Sequence, residues 1–193
     1  MDQHRSDLPI AANLGRRYSP RAFRADPVTN EQLDLLFEAA RWASSSRNEQ
    51  PWRFVVSRKG SPAFDRMLGI LNTSNSIWAQ LGGALVLVLA KRHFDRDGSA
   101  NHHAWHDVGL AVGNLAAQAT EMGLGLHQMG GFNAAAAREV FQVPDKFDLV
   151  TVVVIGWPGT PDDLPENLRD RERNRSARRP LDGIRTYDVA PVE

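Results

Sequence analysis

Two apolar runs, residues 84–90 (ALVLVLA) and 149–155 (LVTVVVI), constrain the fold more than any other feature of the chain. A strand with one face in water alternates polar and apolar residues, whereas a strand built of leucine and β-branched residues throughout is covered on both faces. Neither run is long enough to span a bilayer, which takes about 20 apolar residues. Both therefore read as central strands of a sheet sandwiched between helices, and residues 52–57 read as a third strand. The helices are legible around them. Thr29 and Gln32 form a capping box just after Pro27, and Leu33, Leu36, Phe37 and Ala40 recur at helical spacing, which predicts an amphipathic helix over 30–43. Residues 63–71 and 134–142 are further helices, the second starting at Asn133 and stopped by Pro144. A long helix over 107–122 presents Val108, Ala111, Val112, Leu115, Ala119 and Met122 as one stripe, and Gly109, Gly113 and Ala117 as another. Glycine costs about 1 kcal/mol inside a helix, so two in register suggest close approach of a helix, from a second copy or from the same subunit. The order predicts a single α+β domain over 1–193, a three-layer α-β-α sandwich with no internal repeat and a tail over 160–193. GLGLHQMGG lacks the strand-to-helix context of a dinucleotide fingerprint.

Composition narrows the function. Acidic and basic residues balance at 23 each, so no bulk field draws the chain to nucleic acid or a membrane. The absence of cysteine excludes disulfides, thiol catalysis and thiolate metal sites. MDQHRSDLP at the start is charged and has no apolar core, so no secretory signal is read there and the cytoplasm is the expected location.

Two polar clusters are candidates for chemistry. WASSSRNEQPWRF, residues 42–54, crowds serines, an asparagine and a glutamine where a helix must stop; Pro51 forbids more helix and biases Gln50 toward extended backbone. Such short donors and acceptors suit a flat, polar-edged ligand, although a plain helix-to-strand loop has similar composition. RRYSPRAF, residues 16–23, places three arginines and a serine within six residues. Guanidinium forks match phosphate oxygens, and a solvated basic turn is the alternative.

Together these stretches resemble the nitroreductase family of FMN-dependent oxidoreductases. The resemblance continues through HDVGLAVGNLAAQATEMGLGLHQMGGF (106–132), LVTVVVIGWPG (149–159) and RRPL (178–181), so it covers nearly the whole chain in order and is closest to the small, insertion-poor members. It implies a central, mostly antiparallel sheet and a homodimer built on the long helix, with FMN at the subunit junction. Carried over residue by residue, Arg17, Tyr18, Ser19 and Arg21 match contacts to the phosphate, ribityl and pyrimidine end, Tyr18 standing where a basic residue or histidine is frequent. Arg21 is the residue implied to tune the flavin. Ser44, Ser45, Ser46 and Asn48 match contacts from the other subunit, with Ser44 in place of a common proline, while Gln50 and Trp52 support the loop. Gly130 and Gly131 match the turn facing flavin N5, and Met129 is placed over the ring; a glycine there permits close backbone approach and positive φ. Arg178 and Arg179 match a second phosphate contact, with Ser176 where a further basic residue is usual; either Arg175 substitutes for it or the phosphate has one fewer partner. The remaining arginine-rich tail reads as a solvated mixed-charge segment that extends over the partner subunit.

The implied activity is ping-pong hydride transfer from NADH or NADPH through FMN to a nitroaromatic, quinone or related small acceptor. The flavin carries the chemistry, so no side-chain acid, base or nucleophile is required. Relatives of the same fold act as oxidases, dehydrogenases or dehalogenases, and a flavin-binding module without turnover is a further reading. His102, His103 and His106 share NHHAWHD, and His102 with His106 and Asp107 has a spacing that zinc accepts; the HExxH pattern is absent, and a histidine cluster beside the substrate entrance is the other reading.

Overall fold

The apolar runs do become the centre of a sheet. The computed structural model describes residues 6, 8–188 and 190. Its elements are α1 (Ala12–Arg16), α2 (Asn30–Arg41), β1 (Trp52–Arg58), α3 (Pro62–Gly69), α4 (Thr73–Ala79), β2 (Ala84–Lys91), α5 (Ala104–Glu121), β3 (Gly125–Met129), α6 (Ala134–Val140), β4 (Phe147–Gly156) and α7 (Glu166–Arg173). The sheet order is β1-β2-β4-β3, and every neighbouring pair is antiparallel.

Strand β2 shows why its sequence does not alternate. Ala84, Val86, Val88 and Ala90 face one core, where they meet Leu33, Leu36 and Ala40 of α2 and Val108, Val112 and Leu115 of α5. Leu85, Leu87 and Leu89 face the opposite core, with Phe64 and Met67 of α3, Trp78 of α4 and Ala137 of α6. In β4, Val153 and Ile155 join the first core and Val152 and Val154 the second. The result is the expected three-layer α-β-α sandwich.

The capping box forms as read: Thr29 Oγ1 accepts the Gln32 N–H and Gln32 Oε1 accepts the Thr29 N–H. Helix α2 ends at Arg41, with Trp42 as its cap and the indole N–H donating to Glu38. Four elements were not expected. Strand β3 lacks β-branched residues and exists through pairing with β4. Helices α1 and α4 are short, and α4 buries only Trp78 and Ala79.

Helix α7 corrects the reading of the tail. Leu164 and Leu168 are buried in the second core, Glu172 is buried, and Arg173 pairs with Asp162. Leu164, Leu168 and Glu172 therefore anchor this part of the tail to the subunit, which a wholly solvated segment would not do. The start MDQHR and residues 189 and 191–193 of the tail lie outside the described residues. Among the described residues, no helix is long and apolar enough to cross a membrane.

Candidate functional site

The loop after α2 is held by a dense set of bonds. Ser46–Asn48 form a single tight turn, and Arg47 (φ 55°), Asn48 (φ 56°) and Gln50 (φ 52°) all occupy the left-handed region. Gln50 is therefore not extended: proline disfavours right-handed helix in the residue before it, and this chain takes the left-handed alternative. Each such residue costs about 1–2 kcal/mol, which persists only where the surroundings dictate the geometry. Here Ser45 Oγ accepts the Gln50 N–H at 3.0 Å, and Asp107 Oδ2 accepts the Ser46 N–H at 2.9 Å. Glu49 Oε1 accepts the Asp95 N–H at 2.9 Å and pairs with Lys91 at 3.3 Å. Burial would depress the Lys91 ammonium, but the hydrogen bonds it donates to Asp95 and Glu49 outweigh it and hold its pKa above the ordinary value. Asp107, only 3% exposed, also contacts His106 Nδ1 at 3.1 Å, so its carboxylate joins the loop to the start of α5. Among the described residues no three His, Cys, Asp or Glu side chains converge as a metal site.

A cavity of about 1170 Å³ brings the two ends of the chain together. Arg17, Tyr18, Ser19 and Arg21 line it from one side, and Arg171, Arg175, Arg178 and Arg179 from the other. Ser44, Ser45, Ser46 and Asn48 do not line it; Asn48 borders a separate small hollow with Trp42 and Gln50. Arg17 donates to Ser19 Oγ at 3.4 Å, and its pKa is lowered by burial and then by the nearby Arg178. Burial and Arg171 lower that of Arg21, against Glu172. Glu172, 6% exposed, accepts the Arg21 backbone N–H at 3.1 Å. The Arg175 guanidinium lies 3.5 Å from the Tyr18 ring centroid, and the Tyr18 hydroxyl is raised by burial against the pull of Arg175.

His127 also lines the cavity and was not singled out in the sequence, where it is one residue of an unrecognised strand. Its Nδ1 lies 3.0 Å from the Pro20 carbonyl, which only accepts, so Nδ1 carries hydrogen; the ring centroid lies 4.5 Å from that of Trp78, the two planes tilted by 43°. Burial pushes its pKa down to about 4, with Arg21 and Arg17 adding to the depression and the Pro20 carbonyl opposing it. Between its ordinary pKa near 6.5 and this value, the unfolded chain binds a proton that the folded chain refuses. The neutral ring's contribution is thus complete above about pH 6.5 and is lost as pH falls, by about 3 kcal/mol near pH 4. Urea melts at pH 7.5, 5.5 and 4.5 are expected to show this decline, and His127→Gln to flatten it; an equally steep decline in the variant would refute the assignment.

The turn after β3 departs from expectation in two ways. Met129 is 2% exposed and packed in the second core, so its side chain is not available to lie over a ring. Neither Gly130 nor Gly131 has positive φ. Gly131 is crowded instead: a Cβ there would sit 2.8 Å from Asn75 Nδ2 and 3.0 Å from Asn72 Nδ2, so both amides would have to move. Its carbonyl accepts from Asn72 N at 3.0 Å and Asn75 Nδ2 at 3.1 Å. The Asn75 amide is the side-chain part of this anchor; the Asn72 part is backbone and leaves no mark in the sequence.

On α5 the stripe from Val108 to Ala119 is buried, whereas Gly109 and Gly113 are exposed and a Cβ on either would meet nothing within 4 Å. Packing within the subunit does not explain these glycines. Trp105 and Leu110 are exposed on the same helix.

An antiparallel sheet covered on both faces, with an arginine-lined cavity between the α1–α2 segment and the residues around α7, defines an α+β protein with a strongly basic cavity. The Nitroreductase family model matches residues 14–157, three quarters of the sequence, and the chain belongs to the nitroreductase family. A solved structure described as an oxidoreductase containing FMN is 31% identical, with TM-score 0.94, over 100% of this chain and 98% of that one. A nitroreductase family protein from Clostridium difficile shares the fold at 22% identity and TM-score 0.72, covering 95% of this chain and all of its own. The NADH dehydrogenase of Thermus thermophilus is 28% identical over 173 residues, 74% of this chain and 83% of the relative.

Proposed function

We propose that the chain is a cytoplasmic, homodimeric FMN-dependent oxidoreductase that takes electrons from NADH or NADPH and passes them to a small acceptor such as a nitroaromatic or quinone. The observation that carries this reading is the cavity: Arg17, Arg178 and Arg179 converge there with Ser19 and without a carboxylate partner among the described residues. That donor set fits a phosphate dianion. When bound, FMN would supply two-electron hydride chemistry at N5. Arg17, Arg178 and Arg179 would hold the phosphate, and Tyr18 and Ser19 would border the ribityl chain and ring. Arg21 is fixed by the Glu172 bond to its backbone and by Trp78, whose ring centroid lies 5.8 Å from the guanidinium carbon. Its cation would stabilise negative charge developing at the pyrimidine end. Ser44, Ser45, Ser46 and Asn48, which lie outside their own subunit's cavity, would serve the cavity of a second copy, with the strained loop held rigid by Asp107 and Glu49. Gly130 has open space around it and would let backbone approach the reactive edge.

The test is a visible spectrum of the purified protein, repeated anaerobically after adding NADH or NADPH. A flavin spectrum that bleaches is expected. A flavin that does not bleach would overturn the reductase activity, and a colourless protein that takes up no added FMN would overturn the cofactor.

A further inference from the structure

The peptide that joins Pro20 to Arg21 is held at both of its polar atoms by side chains from distant parts of the chain. His127 Nδ1 on β3, 107 residues away, donates to the Pro20 carbonyl at 3.0 Å. Glu172 Oε2 on α7, 151 residues away, accepts the Arg21 N–H at 3.1 Å. The flanking backbone is fixed as well. Pro20 is buried against Gly125, where a Cβ would sit 2.4 Å from the proline ring, and Gly125 shares a face of β3 with His127 two residues on. Ala22 and Phe23 are buried, Gly159 N donates to the Ala22 carbonyl at 2.9 Å, and Arg24 N donates to the Trp157 carbonyl at 2.9 Å.

A peptide group is planar, so holding its carbonyl and its N–H fixes the plane and the direction in which Arg21 leaves the backbone. From there the Arg21 side chain lines the cavity, its guanidinium carbon 5.8 Å from the centroid of Trp78, against whose other neighbour, the His127 ring, the centroid distance is 4.5 Å. Glu172 is 6% exposed, and a carboxylate is costly to bury unless its bonds are made. A fixed cation stabilises developing charge far better than one that must reorient.

We propose that His127 and Glu172 are positioning residues for Arg21: by pinning the Pro20–Arg21 peptide they aim its guanidinium at the pyrimidine end of FMN and raise the reduction potential of the bound flavin. This rests on the FMN reading of the cavity. The charges involved make the proposal sharp. A cation at the pyrimidine end favours reduced flavin, which carries negative charge there, whereas the Glu172 carboxylate by itself disfavours it. Losing Glu172 as a charge alone would raise the potential; losing it as the anchor of Arg21 lowers it. Loosening of α7 and the tail beyond it would weaken oxidised and reduced FMN alike and leave the potential in place.

The experiment is an anaerobic redox titration of the FMN-loaded protein against a dye of known potential, for the parent, R21Q, E172M, E172Q, H127F and H127N. Methionine keeps the length of Glu172 without an acceptor, and phenylalanine keeps a ring against Trp78 without a donor; glutamine and asparagine each keep the hydrogen bond. R21Q, E172M and H127F are each expected to lower the preference for reduced over oxidised FMN about tenfold, the size of one charge-assisted contact and a fall of about 30 mV for a two-electron couple. H127N should keep the parent potential, and E172Q should keep or exceed it. In an R21Q background, E172M and H127F should lower the potential no further, because their effect passes through Arg21. Circular dichroism melts establish which variants are folded, and either E172M or H127F decides if the other is not. A parent potential in R21Q or H127F, a potential unchanged or raised in E172M, or a full further fall in the R21Q background would each overturn the positioning role. A parent protein that takes up no FMN would overturn the underlying reading instead.

Discussion

Arg178→Gln/Arg179→Gln protein is expected to purify without yellow colour and to bind added FMN about 10²–10⁴-fold more weakly than the parent. Each charge-assisted hydrogen bond contributes about 1.5–3 kcal/mol, and each 1.4 kcal/mol is tenfold in affinity. Losing two such contacts moves a micromolar complex to a dissociation constant of about 0.1–10 mM. The fold should not suffer, because both side chains are exposed and neither pairs with a carboxylate among the described residues. Removing them relieves Arg17, whose cation is already disfavoured by Arg178. The melting temperature without FMN should accordingly stay level or rise slightly, while the stabilisation that FMN confers on the parent disappears. Fluorescence titration of FMN and thermal melts with and without it measure both. Unchanged FMN affinity in the double variant would mean that the phosphate is held elsewhere, and the assignment of this cavity would fail.

How much of this was legible in the sequence follows from where the physical signal resides. The α2 cap and the two core strands were readable because their cause is local: a hydroxyl three residues before an amide, or an apolar run whose two faces need separate cores. Strand β3 was not, since Gly125–Met129 has no strand propensity and takes its form from pairing with β4. Helix α7 looked like a solvated charge run because only Leu168 and Glu172 of its residues are buried, and burial of Glu172 depends on an N–H 151 residues away. The arginines of the proposed clamp stood in two separate stretches, Arg17 to Arg21 and Arg178 with Arg179, and it took the fold to bring both to one cavity. Gln50 went astray for a different reason. The residue before a proline has two ways to avoid right-handed helix, and bonds from Ser45, Asp107 and Glu49 to the loop decide between them. Met129 was placed by the position of its motif, but strand alternation turns it into the core.

Gly113→Glu is expected to leave the subunit folded and to abolish the dimer together with its FMN. Nothing within the subunit opposes the substitution: a Cβ at Gly113 meets no atom within 4 Å, and replacing a helical glycine should stabilise α5 by up to about 1 kcal/mol. A structural role confined to one subunit therefore predicts an unchanged or slightly raised melting temperature and no change in mass. The dimer reading predicts a different pattern. Two α5 helices approaching along Gly109 and Gly113 would bury two unpaired carboxylates, a cost of about 3–5 kcal/mol or more, enough to dissociate a micromolar dimer. Light scattering should then give the 21.4 kDa subunit for the variant and twice that mass for the parent. Because Ser44, Ser45, Ser46 and Asn48 lie outside their own subunit's cavity, the monomer should also lose FMN although every arginine of its clamp is intact. A variant that stays dimeric would move the interface off this face of α5. A monomer that keeps its flavin would show that one subunit completes the site alone, and the part assigned to the serine loop would then be withdrawn.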